Sequence, residues 1–263
     1  MIPKIIHYCW LSNDPIPENL QKYMETWKEK LQGYEFLLWN FERFDINSSL
    51  WVKQAFEAKK YASACDYIRL YAVYNYGGIY LDMDIEVLKP FDELLDSNYM
   101  IAYENNESKC IEAGCFGATK EMQYIKDCLE YFQDREFNEE TIVNGYTLPK
   151  IMKEVFNKEN MDISFYSQDY FTAKNFRTGK INITENTHSI HHFDGSWLSD
   201  EDVVFIKKRY RVYEFFGVNI FSKNIIRVMN ILKIIREKGF RYAGKYVFNK
   251  IVSKRNRAHG VSV

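Results

Sequence analysis

The stretch that most limits the fold of this chain lies between Ala62 and Asp84. A helical pattern from about Ala62 to Tyr76 runs into Gly77-Gly78, a pair that ends helices. Ile79-Tyr80-Leu81 follows at once, a short apolar strand leading into Asp82-Met83-Asp84. A buried strand fed by a helix and ending in acids is a βα-type unit, and the neighbouring segments repeat the alternation. Residues 2–10 read as a strand ending on Trp10, 17–31 as a helix with Leu20, Tyr23, Met24, Trp27 and Leu31 on one face, and Tyr34–Trp39 as a second strand. Helical patterns recur at about Leu50–Lys59, Gln123–Gln133 and Leu148–Asn157; Ile163–Tyr166 and Ser189–Phe193 read as extended. Strand and helix in alternation predict an α/β sheet domain.

With 263 residues and 46% apolar side chains, the chain can bury a sizeable core. The charge is unevenly spread. From Val203 onward there are fifteen Lys and Arg against Glu214 and Glu237, a balance of +13 within a whole-chain balance of −1. Residues 1–202 therefore carry −14. That split predicts two parts, 1–202 and 203–263, facing different partners. The five cysteines follow no metal-binding spacing, which argues against a structural zinc and for free thiols in a reducing cytoplasm. The opening MIPKIIHYCW reads as neither a signal peptide nor a membrane span.

In an extended segment, side chains two apart point the same way, so Asp82 and Asp84 are expected to project together with Met83 turned away. They fall at the carboxyl end of a strand, where open α/β sheets hold ligands. Two hard oxygen donors suit Mg²⁺ or Mn²⁺, and such an ion can bridge the phosphates of a nucleoside diphosphate. Asp66 and Arg69, three apart on the preceding helix, share a face and can act together. A hydrolase with two carboxylates flanking a glycosidic bond fits less well, because Asp82 and Asp84 stand on one side.

ASACDYIRLYAVYNYGGIYLDMDIEVLKP, Ala62–Pro90, resembles the DXD sugar-binding region of glycosyltransferase family 32. More distantly it resembles the glucosylating domain of large clostridial toxins. Ile2–Trp10 looks like the opening strand of that family, and His191–Trp197 (HHFDGSW) like its C-terminal active-site segment. The resemblance implies a Rossmann-like GT-A domain with a mixed central sheet, a UDP-sugar or other nucleotide-sugar donor, Mn²⁺ or Mg²⁺, and transfer with retention of configuration. It places Trp10 against the base, Asp66 and Arg69 at the donor sugar and diphosphate, Asp82 at ribose and metal, and Asp84 on the metal. A histidine of the His191-His192 pair would complete the metal shell; the two alternate faces of an extended segment, so one of them can reach a given metal, and the resemblance favours His191. Ser196 and Trp197 would form a lid. Gly77-Gly78 is most economically a helix end, and Gly78 would also let the backbone pass close to a ligand. One departure is Cys65, where the family usually has Ser. Glu112, in IEAGCFGA, is the carboxylate to test as a catalytic helper. The expected transfer is of a hexose, galactose or glucose ahead of mannose, onto a saccharide or lipid-linked saccharide in surface polysaccharide synthesis.

The segment after Asp202 is basic, aromatic and helical in pattern, with Ile225, Val228, Met229, Leu232 and Ile235 at helical spacing among Arg227, Lys233, Arg236 and Lys238. This composition suits an anionic membrane surface ahead of a solvated helical cap on the catalytic domain, with nucleic acid third, and predicts an enzyme held peripherally at the inner face of the cell membrane. A non-enzymatic adaptor built on the basic segment would leave the acidic part unexplained.

Overall fold

The computed structural model describes residues 1–138, 147–159, 163–195 and 200–258. The elements of the first part follow the alternation read above: β1 (Ile5–Cys9), α1 (Glu18–Lys30), β2 (Glu35–Trp39), α2 (Leu50–Glu57), α3 (Tyr61–Tyr76) and β3 (Gly78–Leu81). Then come β4 (Ile85–Val87), β5 (Tyr99–Met100), β6 (Tyr103–Asn105), β7 (Cys110–Ile111), β8 (Cys115–Ala118), α4 (Gln123–Glu130), α5 (Leu148–Glu159) and β9 (Ser189–His191). A five-stranded sheet runs β2-β1-β3-β8-β5. β1 pairs in parallel with β2 and β3, while β8 lies antiparallel to both β3 and β5. The fold is therefore α/β with a mixed central sheet. Two small antiparallel pairs, β4-β9 and β6-β7, stand beside it.

Alternation along β3 divides the core. Ile79 and Leu81 pack with Ile6, Trp27 and Leu31 on the α1 face, and Tyr80 packs with Ile68, Leu70 and Phe116 on the α2-α3 face. All four residues of β3 are buried, as expected of a strand covered on both faces. Full burial of Ile79 or Leu81 contributes roughly 2 kcal/mol each. Trp27 also donates its indole N–H to the Ile85 carbonyl at 2.6 Å, tying α1 to β4.

Gly77 and Gly78 perform separate tasks. Gly77 ends α3 at φ 66°, and its N–H donates to the Val73 carbonyl. Gly78, at φ 101°, lies so close to β1 that a Cβ would come within 2.6 Å of the Ile5 carbonyl oxygen. The second glycine is a requirement of strand packing, and it sits at the opposite end of β3 from Asp82. The expectation that Gly78 passes close to a ligand is corrected on that ground.

Chain contacts define two units, 1–176 with 181–198 and 177–180 with 199–263. In the second, α6 (Asp200–Phe216) and α7 (Ile220–Ala258) make up the described secondary structure, so this region is helical. The charge boundary at 202/203 falls inside the first turn of α6. Gly239, at φ 79° and ψ 167°, breaks α7 into two helical runs. Across the break Asn230 Nδ2 donates to Tyr246 Oη at 3.3 Å. Within the same unit Lys233 pairs with Asp202 and, at 3.4 Å, with Glu237.

Candidate active site

β3 delivers Asp82 to the edge of the sheet, where its N–H donates to the Gly114 carbonyl at 2.7 Å. The chain does not continue extended from there. Met83 and Asp84 form a tight turn, closed by Ile85 N–H on the Asp82 carbonyl at 3.0 Å. The two carboxylates thus meet through a turn, and not through strand alternation as expected from the sequence. Met83 is buried in the α1-side core, which pins the turn.

The third member arrives from far along the chain. β9 pairs with β4, setting His191 opposite Ile85, one residue past Asp84. His191 Nε2 lies 3.4 Å from Asp84 Oδ1. One ligand atom each from Asp82, Asp84 and His191 lies within 4.8 Å of the others. Neighbouring ligands at about 2.1 Å from one ion are separated by roughly 3 Å, so this spacing fits a divalent cation. His192 turns the other way, as alternation requires: its Nε2–H donates to Glu86 Oε2 at 2.7 Å, and its ring stacks on Tyr23 at 4.4 Å.

Glu112 stands behind His191. His191 Nδ1–H donates to its two oxygens at 3.0 and 3.1 Å, Gly114 N–H donates to Oε1 at 2.6 Å, and the Thr172 hydroxyl donates to Oε2. The carboxylate is wholly buried. The reading of Glu112 as a catalytic helper is corrected: its oxygens are occupied by protein donors, and it orients the histidine so that Nε2 faces the aspartates. Gly114 makes this convergence possible, since a Cβ there would meet Asp82 Oδ2 and His191 Cε1 at 2.7 Å and Glu112 Oε1 at 2.9 Å.

On the other flank Arg69 is almost enclosed, with its side chain 7% exposed. Nη1 donates to Asp82 Oδ2 at 3.0 Å and to the Ala113 carbonyl at 2.7 Å, and Nη2 lies 3.3 Å from Asp66 Oδ1. Its guanidinium rests 4.6 Å over the Tyr80 ring, whose hydroxyl donates to Asp82 Oδ1 at 2.9 Å. The shared face of Asp66 and Arg69 is observed. Arg69, however, spends these donors inside the protein and sets the orientation of Asp82.

The charges tune one another. Burial opposes ionisation of Asp84, but the adjacent His191 and the Asp194 N–H, which donates to Oδ2 at 2.9 Å, win and bring it down to about 2. Burial likewise disfavours the charged form of His191, and Glu112 and Asp84 together override it, raising the imidazolium well above its ordinary range. Glu112 is held low by the same pairing against its own burial. Asp66, buried and near Asp82, is pushed up to about 6 in spite of Arg69. Glu104, absent from the sequence reading, is pushed up to about 7 by burial and by the charge of Glu112. Thr172 is a second residue missed from sequence; sixty positions from Glu112, it gave no local signal.

Trp10 follows β1, half-buried, and its indole N–H donates to the Asp14 carbonyl at 2.8 Å. Ser196 and Trp197 lie outside the described residues.

Residues 17–101 match the family described as the glycosyltransferase sugar-binding region containing the DXD motif. The matched span is 85 of the 263 residues. It contains Asp66, Arg69, Asp82 and Asp84, while Glu112 and His191 are supplied from beyond it. The inositol phosphoceramide mannosyltransferase 3 of Schizosaccharomyces pombe is 34% identical over 98 residues, 36% of this chain and 27% of that protein. The mannosyl phosphorylinositol ceramide synthase SUR1 of Saccharomyces cerevisiae is 32% identical over 99 residues, 36% of this chain and 26% of that protein. Both matches span about a quarter of the relative's own length. Among solved structures, the PaToxG glycosyltransferase is similar over 60% of this chain and 70% of that one, with 19% identity and a TM-score of 0.46.

Proposed function

We propose that this chain is a metal-dependent glycosyltransferase, moving a hexose from a nucleotide-diphosphate sugar to a saccharide or lipid-borne acceptor in surface glycan synthesis. The convergence of Asp82, Asp84 and His191 within 4.8 Å, inside a fold that carries the DXD sugar-binding region, supports this reading. Asp82, Asp84 and His191 would hold Mn²⁺ or Mg²⁺, and a mixed oxygen and imidazole set favours Mn²⁺. Bound there, the ion supplies Lewis-acid neutralisation of the diphosphate leaving group. The protein's own part is positioning. Arg69 and Tyr80 fix Asp82, the Asp194 N–H fixes one oxygen of Asp84, and Glu112 fixes the His191 ring. Trp10, half-buried, and Asp66, whose side chain is 19% exposed, are the candidates for contact with base and sugar.

Both relatives described above are named for mannosyl transfer, which puts a mannosyl donor beside galactosyl and glucosyl donors as first choices. Their names also specify ceramide-borne acceptors, in keeping with a lipid-linked acceptor here. Retention of configuration rests on the resemblance alone. The test is a donor-hydrolysis and transfer screen across UDP- and GDP-sugars with Mn²⁺ and with chelator, followed by assignment of the product anomer. Hydrolysis of one donor class that vanishes with chelator is the expected result. Turnover indifferent to chelator, or no thermal stabilisation by any nucleoside diphosphate with Mn²⁺, overturns the reading.

A further inference from the structure

The corner between α6 and α7 presents Phe215, Phe216, Val218, Ile220 and Phe221 to solvent. Phe215 is 82% exposed, Ile220 79% and Phe221 59%. Phe216 touches both other rings, with centroids 4.7 Å from Phe215 and 5.2 Å from Phe221. Single exposed apolar residues are ordinary, but a contiguous group of this kind marks a binding surface. Of the residues at helical spacing in 225–235, Ile225, Met229 and Ile235 are half-buried while Val228 and Leu232 are 56% and 59% exposed, so the apolar exposure there is interrupted.

The backbone at this corner is closed off by its own bonds. Gly217 turns the chain at φ 67°. Asn219 Nδ2 donates to the Phe216 carbonyl at 2.6 Å, and Asn219 Oδ1 accepts from Ser222 N–H at 3.0 Å. Asn219 N–H donates to Ser222 Oγ at 3.1 Å, and the Asn219 carbonyl accepts from Ser222 Oγ at 3.0 Å and Lys223 N–H at 3.1 Å. One asparagine thus caps the end of α6 and the start of α7. These bonds satisfy part of the corner's backbone, which lowers the cost of bringing it against an apolar medium.

Cations stand directly behind the apolar tip. Lys208, Arg211 and Phe215 fall on one stripe of α6, and Ile220, Lys223 and Arg227 on one stripe of α7. Across 207–227 the chain carries six Lys and Arg and a single carboxylate, Glu214. Pairing with a second copy of the same corner would set these cations against each other, whereas an anionic surface satisfies them and the apolar tip together. Among the described residues, no helix is long and apolar enough to cross a membrane, so the fitting arrangement is insertion from one side.

We propose that this corner is a wedge that enters the headgroup layer of an anionic lipid bilayer. The test uses the full chain with phosphatidylcholine vesicles, with and without phosphatidylglycerol, read by flotation at low and high salt. It needs neither donor nor metal, so its outcome is independent of the sugar-transfer reading. Binding to the anionic vesicles only is expected. The combined substitution Phe215→Ser, Ile220→Ser and Phe221→Ser changes only exposed side chains; it should leave far-UV dichroism intact and lower partitioning by about tenfold or more. Lys208→Gln with Lys223→Gln and Arg227→Gln should weaken binding to anionic vesicles and flatten its salt dependence. Absence of binding to anionic vesicles at low salt, equal binding to neutral ones, or unchanged binding of the triple serine variant overturns the proposal. So does a wild-type oligomer that the serine variant dissociates without altering flotation, which would make the corner a self-interface.

Discussion

Replacing Glu112 by Gln removes one charge from behind His191 while keeping the shape of the side chain. The amide oxygen can still accept from Gly114 N–H and His191 Nδ1–H, the two donors now on Oε1. The amide nitrogen would take the place of Oε2, giving up the His191 contact there at 3.1 Å, and face Thr172, whose hydroxyl can rotate to accept. Two effects then compete. Loss of the negative charge lowers the His191 pKa, which eases the proton loss needed before Nε2 can bind a metal. The same loss removes a counter-charge that faces one positive charge in the metal-free site and a divalent ion in the loaded one. The second effect is larger, because the ion brings more charge than the proton it displaces. Loss of a ligand's outer partner typically costs 10- to 100-fold in metal affinity, and a drop in Mn²⁺ affinity of about that size is expected. Calorimetric titration measures it, with urea unfolding of the metal-free protein alongside. Glu112→Ala should be worse for stability, by about 3–5 kcal/mol, since it leaves a buried imidazolium half-paired. Unchanged Mn²⁺ affinity in both variants would refute the reasoning.

Asp84→Asn removes a charged ligand and should lower metal-dependent donor hydrolysis by orders of magnitude, in line with the several kcal/mol such an ion supplies; wild-type turnover by the variant in chelator speaks against the assignment. Mn²⁺ affinity should rise with pH, because His191 is held protonated by Glu112 and Asp84 and must lose that proton to bind; a flat titration profile contradicts this. In the metal-free protein the same shifts set a stability window. The raised His191 contributes stability that is fully present below the ordinary histidine value of 6.5 and lost as pH climbs through its folded value. The lowered Asp84 contributes above 3.8, and that is lost as pH falls through about 2, so thermal unfolding midpoints should be highest between these limits. Gly78→Ala should destabilise the fold by about 1–3 kcal/mol through strain and the Ile5 contact while leaving Mn²⁺ affinity unchanged, and a selective loss of metal binding would restore a site role for this glycine.

What could be read from the chain was local. Helix α3, its glycine stop, buried β3 and the acids after it lie within about twenty residues, and each is specified by propensity or periodicity that neighbouring side chains express. The alternation of His191 and His192 also held, because β9 is extended. What escaped reading depends on tertiary pairing. Asp-Met-Asp is compatible with a turn as well as with strand continuation, and the apolar Ile79-Tyr80-Leu81 before it favours the strand; burial of Met83 against the α1 side decides for the turn. Glu112 could be marked as a carboxylate of interest, but its job is assigned by the β4-β9 register and by Thr172, neither visible nearby. Gly78 was half legible: a positive φ was predictable, whereas the neighbour requiring it, β1, lies more than seventy residues away.

Asp82 is oriented by Arg69 and Tyr80, Asp84 by the Asp194 N–H, and His191 by Glu112, so each candidate ligand has a protein partner of its own. Among the described residues, Asp66, Asp82, Asp84 and Glu112 face Arg69 and His191, with Lys174 acting on Asp84 from farther off, so four carboxylates meet three cations. A folded protein bears that excess only at a cost in self-repulsion and desolvation, visible in the raised Asp66 and Glu104. A divalent cation relieves it without moving a side chain. The ordering of three ligands is met during folding, and the ion collects both the ordering and the relief of charge. Metal binding is for that reason expected to stabilise the fold as well as to equip it for chemistry, and to do so through residues contributed by α3, β3, β8's approach and β9 at once.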